Sequence, residues 1–433
     1  MPHIAPWFFE SKFGIFVHWL LRSHTEEPQN RKYSEHPTQA SLFEDALSDA
    51  SQFTADQFDA KAWAKLFKSW GAKYSVLTTK HHIGFALFDT DKSMFTAKKS
   101  SPAKRDLVKE FAEAMRSEGL KVGLYYSFPD WSHPDYPTLS GGQCPYKYSD
   151  VDMPDRWKKF LELMFYEIEH LCTAYGKIDL LWFDGDWERS AEQWKVVELA
   201  ERIEKLQPGI VINNRMRHRC LGHYGTPEST YPITAPEGFW EFCGTPGDNW
   251  DYQGGNKNIK PVNELIRCFG DMIGMGGNVL LNVAPHANGT IPQVQINALS
   301  GLGEFVTKYS EAIYGAERGL PPGLFNGAST RRGSVLYLIS YDRPYAEWVV
   351  KGLNSKVIRA TDLSTGNELA FRYSGGRKDF GQLGWLWIKV PDHLHHSQAS
   401  VIRLEFENDI LEYAGQRFRG RPQLLEKAVS DTR

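Results

Sequence analysis

Several features that would mark a stapled, membrane-bound or polyanion-binding protein are missing from this sequence. Its five cysteines (Cys144, Cys172, Cys220, Cys243 and Cys268) are sparse, odd in number and without C-x-x-C spacing. That excludes a disulfide framework and a cysteine-based zinc site, and it fits a reducing compartment. Charge of one sign is also lacking: 50 Lys and Arg stand against 53 Asp and Glu, for a net charge of −3. No electrostatic footprint for nucleic acid or an anionic membrane follows. No apolar run is long enough to span a bilayer. The longest early run, Phe13 to Leu21, follows Glu10 and Lys12 and is interrupted by His18. It has neither a basic leader nor a small-residue cleavage site, so a soluble, cytoplasmic chain is expected. What is plentiful is aromatic residues, 13% of the chain with 14 Trp. Carbohydrate is a ligand class for which many exposed aromatics make sense, although a large core uses them too.

The 433 residues, 41% hydrophobic and 24% charged, suit one large globular domain plus a smaller one. Over the first three quarters, short apolar runs alternate with helix-period segments. Strands are expected at 14–17, 74–79, 122–126, 178–183, 210–212 and 279–283, separated by helices. About eight such units with strands buried on both faces predict parallel strands covered by helices, and at this length a closed (β/α)8-type, TIM-like barrel, irregular over 214–260. No Gly-rich phosphate turn follows the first strand, which argues against a doubly wound sheet. After about Gly319 the pattern changes to short β-branched and aromatic runs. Turn signals such as Ser364-Thr-Gly and Ser374-Gly-Gly separate them, which predicts a C-terminal antiparallel β-sandwich. The expected division is 1–318 for the barrel, 319–410 for the sandwich and 411–433 for a charged tail. The sandwich is expected to pack on the barrel and to lend a loop to its pocket.

In a parallel barrel, functional side chains project from the C-terminal ends of the strands. His18, Lys80-His81-His82, Tyr126 with Asp130-Trp131, Asp184, and Asn213-Asn214-Arg215 all stand at such ends, so polar groups converge on one rim. A lone strand-end Asp is as often a helix cap or a structural ion pair as a reacting group. The companion carboxylates Glu35, Asp130, Glu228 and Glu241 favour chemistry, because two carboxyl groups flanking a scissile bond are the usual equipment of glycoside hydrolysis. A His-His pair alone is most often a satisfied buried pair. A metal site wants three or more ligands with a matching outer shell, and no His-x-His opens the first strand, so no metal and no cofactor are expected. Neutral imidazoles that donate and accept hydrogen bonds to hydroxyls fit His18, His81 and His82 better.

Nine stretches carry a family resemblance. They are Trp7-Phe-Phe-Glu-Ser-Lys-Phe-Gly-Ile-Phe-Val-His-Trp19, Tyr74-Ser-Val-Leu-Thr-Thr-Lys-His-His-Ile-Gly-Phe85, Gly123-Leu-Tyr-Tyr-Ser127, Leu181-Trp-Phe-Asp-Gly185, Tyr224-Gly-Thr-Pro-Glu228, Trp240-Glu-Phe-Cys243, Gly276-Gly-Asn-Val-Leu-Leu-Asn-Val283, Asn288-Gly-Thr-Ile-Pro292 and Glu311-Ala-Ile-Tyr-Gly315. In this order they resemble the α-L-fucosidases of glycoside hydrolase family 29. The resemblance implies an exo-acting, retaining enzyme that removes terminal α-L-fucose through a covalent fucosyl-enzyme. Asp184 matches the nucleophile and Glu228 the acid/base, with Glu241 as the competing acid/base candidate. His18, Glu35, His81, His82 and Tyr126 match contacts to sugar hydroxyls, Arg215 a residue near the acid/base, and Trp250 an aromatic wall for the fucose methyl. Trp131 joins them as a rim aromatic. Departures from the family pattern fall at Ile83, His36, His223 and Asn288 and bear on subsite shape. The alternative from another class is a non-catalytic sugar-binding barrel. The expected partner is a small carbohydrate, with no nucleic acid and no membrane, and a homo-oligomer stays open.

Overall fold

The computed structural model of the chain describes residues 4–25, 39–136, 154–218, 221–252, 258–342, 347–377, 382–391, 394 and 398–412. Seven strands form one parallel sheet: β1 Phe13–Val17, β2 Tyr74–Lys80, β3 Lys121–Ser127, β4 Leu180–Asp184, β5 Val211–Ile212, β6 Glu241–Gly244 and β7 Asn278–Val283. Their order is β5-β4-β3-β2-β1-β7-β6. The two edges, β5 and β6, are joined through the irregular segment 223–229. On one side His223 N–H donates to the Ile212 carbonyl (2.8 Å); on the other Glu241 N–H donates to Gly225 (2.9 Å) and Cys243 N–H to Pro227 (3.0 Å). The eighth stave expected from the repeat is therefore this irregular segment, and Glu228 sits on it.

Alternation along each strand sorts the residues into two cores. Phe16, Tyr74, Val76, Tyr125, Leu180, Trp182, Cys243 and Leu280 point into the barrel and cluster there. Ile15, Val17, Leu77, Leu124, Tyr126, Leu181, Phe183, Phe242 and Leu281 point outward under the helices. Gly14 is needed because a Cβ there would run into the Tyr74 ring. The short helix Pro6–Ser11 closes the N-terminal end, with Phe8 packed on Tyr224 (ring centroids 4.5 Å) and Tyr74 (5.9 Å). Asp59 and Asp106 cap the helices Ala60–Ser69 and Leu107–Ser117 by accepting their free N–H groups. An additional helix, Gln39–Ala50, precedes them.

The remaining strands are antiparallel: β8 Glu317–Arg318, β9 Ala328–Arg332, β10 Val335–Ser340, β11 Glu347–Val350, β12 Val357–Asp362, β13 Phe371–Arg377, β14 Gln382–Lys389 and β15 Ser400–Phe406. They build a five-stranded sheet, β12-β15-β10-β9-β8, and a three-stranded sheet, β11-β14-β13. Leu336, Leu338, Trp348, Val350, Leu386, Ile388, Ile402 and Leu404 fill the space between the two. β8 already belongs to this unit, so its first strand lies just before the expected border at 318/319. Ser374-Gly-Gly, read as a turn, lies inside β13 instead. Gly375 and Gly384 face one another in the ladder with φ of 79° and 85°, a paired glycine bend that only residues without Cβ accept easily. The outer face of the five-stranded sheet packs on the helix Val262–Gly274. There a Cβ on Gly274 would approach Ala328 and the Ser329 carbonyl to 3.1 Å, so the glycine allows the close approach. The expected tail from 413 onward lies outside the described residues. Among the described residues no helix is long and apolar enough to cross a membrane.

Candidate active site

The C-terminal strand ends and the loops beyond them open on a cavity of about 340 Å³. It is lined by His18 after β1, His81 and His82 after β2, Tyr125 on β3, Trp182 and Asp184 on β4, Trp187 beyond it, Arg215 after β5, Glu228 on the closing segment, and Asp248 to Asp251 after β6. Phe16 and Trp250 form an apolar side, their rings 6.0 Å apart. The lining comes entirely from the barrel among the described residues, so the sandwich packs on the barrel without contributing a described cavity residue.

Asp184 is the most constrained group. Its Oδ2 accepts from the Tyr125 hydroxyl (2.8 Å) and its Oδ1 from Arg215 Nη1 (2.6 Å). The other terminal nitrogen of Arg215, Nη2, donates to Glu228. One guanidinium, lying over the Trp182 ring at 4.4 Å, therefore holds both carboxylates. The two carboxylates differ in depth: the Asp184 side chain is 12% exposed and that of Glu228 38%. Glu228 stands at the mouth and Asp184 at the bottom.

The three histidines are neutral. Burial, aided by the neighbouring His81 imidazole, lowers His18 to about 3. Burial, with His18 and the Arg215 cation nearby, does the same to His82, and burial lowers His81 as well. The hydrogen-bond network assigns their tautomers. Asn282 Nδ2 donates to the Trp250 carbonyl (2.7 Å), so its Oδ1 faces His18 Nδ1 (2.7 Å). His18 thus carries its proton on Nδ1 and offers a lone pair on Nε2. Ser127 Oγ donates to the Pro129 carbonyl (3.0 Å) and accepts from His82 Nδ1 (2.6 Å). That leaves an Nε2 lone pair on His82, 3.7 Å from Asp184 Oδ2. Lone pairs beside a carboxylate are acceptors for sugar O–H groups. His81, His82 and Asp184 also have ligand atoms within 4.8 Å of one another. Both oxygens of Asp184 already accept hydrogen bonds, one from the Arg215 cation, so the donor set suits a hydrogen-bonding cage better than a metal ion.

The structure brings together His18, His81, His82, Asp184, Arg215, Glu228 and Trp250 at this cavity. Tyr126 does not reach it: the residue points outward and donates to Glu167 (2.6 Å), while Tyr125 faces the cavity. Trp131 lies behind the rim, donating to Glu188 (3.1 Å) and backing the His82 ring at 5.1 Å. Asp130 is tied to Lys80 (2.8 Å). Glu241 is fully buried in the barrel interior and does not line the cavity, and burial raises it to about 7. Glu35 and His36 lie outside the described residues. The departures at Ile83, His223 and Asn288 do not line the cavity either, so they leave the described lining unchanged. Tyr125, Phe16 and Trp182 were missed. For Phe16 and Trp182 the signal was parity, each lying two residues before an inward strand-end residue, His18 and Asp184; nothing in the sequence separates Tyr125 from Tyr126.

A barrel whose C-terminal mouth gathers two carboxylates, a bridging Arg and neutral imidazoles is built as the glycoside hydrolases are. Comparison with known proteins narrows this. The family profile "Alpha-L-fucosidase" matches residues 2–311. Tissue alpha-L-fucosidase of Rattus norvegicus is 31% identical over 335 residues, covering 72% of this chain and 70% of the rat protein. That of Macaca fascicularis is 30% identical over 389 residues, covering 83% and 79%. Among solved structures, alpha-L-fucosidase isoenzyme 1 from Paenibacillus thiaminolyticus superposes with a TM-score of 0.84 at 32% identity, covering 93% of this chain and 98% of that one. An alpha-L-fucosidase from Bacteroides thetaiotaomicron, solved as a trapped covalent intermediate with 2-fluoro-fucosyl fluoride, gives 0.81 at 26% identity, covering 93% and 95%. The chain belongs to the α-L-fucosidase family, glycoside hydrolase family 29.

Proposed function

We propose that the chain is an exo-acting, retaining α-L-fucosidase in which Asp184 is the nucleophile and Glu228 the acid/base. The observation that carries this reading is the bridging of two carboxylates of unequal depth by Arg215. A carboxylate Oδ of Asp184 attacks the anomeric carbon of the bound fucose as the glycosidic C–O bond breaks, and Glu228 gives its proton to the departing oxygen. Glu228 then takes a proton from water, which attacks the same carbon and releases Asp184, so two inversions give net retention. To act on the leaving oxygen, Glu228 must exchange its Arg215 partner for that oxygen, and its place at the mouth, where aglycone and water enter, allows the exchange. His18, His81 and His82 take the sugar hydroxyls, and Phe16 with Trp250 offers an apolar side for the C5 methyl. A cavity near the small end of the usual range of about 300–1,000 Å³ suits one terminal sugar. The free, buried Cys172, Cys243 and Cys268 support a reducing, cytoplasmic setting.

The test is Asp184→Gly assayed on an aryl α-L-fucoside with and without azide, with products followed by NMR. Turnover should be nearly abolished, and azide should restore aglycone release by giving a fucosyl azide of inverted configuration. Undiminished hydrolysis by this variant removes the assignment.

A further inference from the structure

Beneath the cavity, one layer deeper in the barrel, a carboxylate sits where an apolar side chain would be cheaper to bury. Glu241 on β6 is 0% exposed, and each of its oxygens has a donor: Oε2 accepts from the Tyr74 hydroxyl, Oε1 from the indole Nε1–H of Trp182 at 3.2 Å. The Trp182 ring meets both groups that hold Asp184. Tyr125 stacks on it at 5.6 Å with an interplanar angle of 22°, and the Arg215 guanidinium lies over it at 4.4 Å. Arg215 in turn holds Glu228. Fixing the indole N–H fixes the plane of the ring, and a tilt of that plane would displace together the Tyr125 and Arg215 donors to Asp184 and the Arg215 donor to Glu228.

We infer that Glu241 is a positioning residue for the catalytic pair, acting through the indole of Trp182. This rests on the roles of Asp184 and Glu228 proposed above. Glu241 touches neither substrate nor reacting atoms. It sets the surface on which the bridging guanidinium and the Tyr125 phenol rest, so its removal disturbs nucleophile and acid/base alike.

The experiment uses three variants of the full chain. Trp182→Phe keeps an aromatic face and removes the donor, Glu241→Leu removes the acceptor, and Glu241→Gln keeps an acceptor oxygen for the indole. Rates are measured on an aryl fucoside with a good leaving group and an alkyl fucoside with a poor one, with thermal unfolding as the check on folding. Trp182→Phe and Glu241→Leu should each lower kcat about 10- to 100-fold, by a similar factor on both substrates. Glu241→Gln should recover most of the loss. The double variant Trp182→Phe/Glu241→Leu should be no worse than Trp182→Phe alone, because both changes cut one contact. Should Glu241→Leu fail to fold, Trp182→Phe and Glu241→Gln decide the matter by kcat. A loss confined to the poor leaving group would make Glu241 the proton donor itself and overturn the inference, as would additive losses or a Trp182→Phe enzyme with wild-type kcat. If the wild-type chain cleaves neither fucoside, the proposed function fails instead. Positioning is then read from the Kd of a fucose-configured iminocyclitol, expected to weaken about tenfold in Trp182→Phe and Glu241→Leu; unchanged Kd overturns it.

Discussion

Exchanging the hydroxyl of Tyr125 for hydrogen, as Tyr125→Phe, removes one of the two donors that hold Asp184 and leaves the ring stacked on Trp182 and His81. A hydrogen bond to a charged acceptor contributes about 1.5–3 kcal/mol. At 1.36 kcal/mol per decade this is about 10- to 150-fold in rate if the whole contribution is expressed in the transition state. Asp184 loses negative charge as it bonds to the sugar, so the bond to Tyr125 does not by itself favour the transition state; the loss comes from misplacing the nucleophile, and about tenfold, the lower end of that range, is expected. The neighbouring Tyr126→Phe serves as the contrast. Its hydroxyl donates at 2.6 Å to Glu167, which also holds Lys80 at 2.7 Å, in a buried network outside the barrel wall. Its loss should lower the melting temperature and leave kcat/KM on 4-nitrophenyl α-L-fucoside close to wild type. Initial rates and thermal melts of both variants decide. A Tyr125→Phe enzyme with wild-type kcat/KM, or the opposite ranking of the two variants, refutes the assignment of the inward face of β3.

Glu228→Ala should lose most activity on fucosides with poor leaving groups and least on activated aryl fucosides; equal loss across a leaving-group series would reject it as the acid/base. Acid should destabilise the fold through the histidine cage. His18 and His82 bind protons in the unfolded chain below about 6.5 but in the folded chain only near 3, so stability is full above pH 6.5 and falls as pH drops towards 3. Each such group contributes at most about 1.4 kcal/mol per pH unit in that window. His82→Gln should therefore flatten the dependence of unfolding free energy on pH between 6 and 4 relative to wild type, and superimposable slopes would contradict the buried neutral state.

The barrel, the sandwich and the strand-end positions of His18, His81, His82, Asp184 and Arg215 are legible in the sequence, because they depend on local periodicity and on where apolar runs stop. Three matters were decided only by tertiary structure. In a barrel both faces of each strand are apolar, so composition cannot tell inside from outside. Tyr125 and Tyr126 are chemically identical, and the register of β3 against β4, which pairs Ser127 with Asp184, turns Tyr125 inward. Glu241 follows the same logic: the phase of β6 puts its carboxylate into the barrel below the cavity, where the Trp182 indole satisfies it, and not at the rim. Glu228 lies on no regular strand at all. It faces Asp184 because the segment 223–229 closes the ring between β5 and β6, a pairing between residues brought together only when the sheet curls.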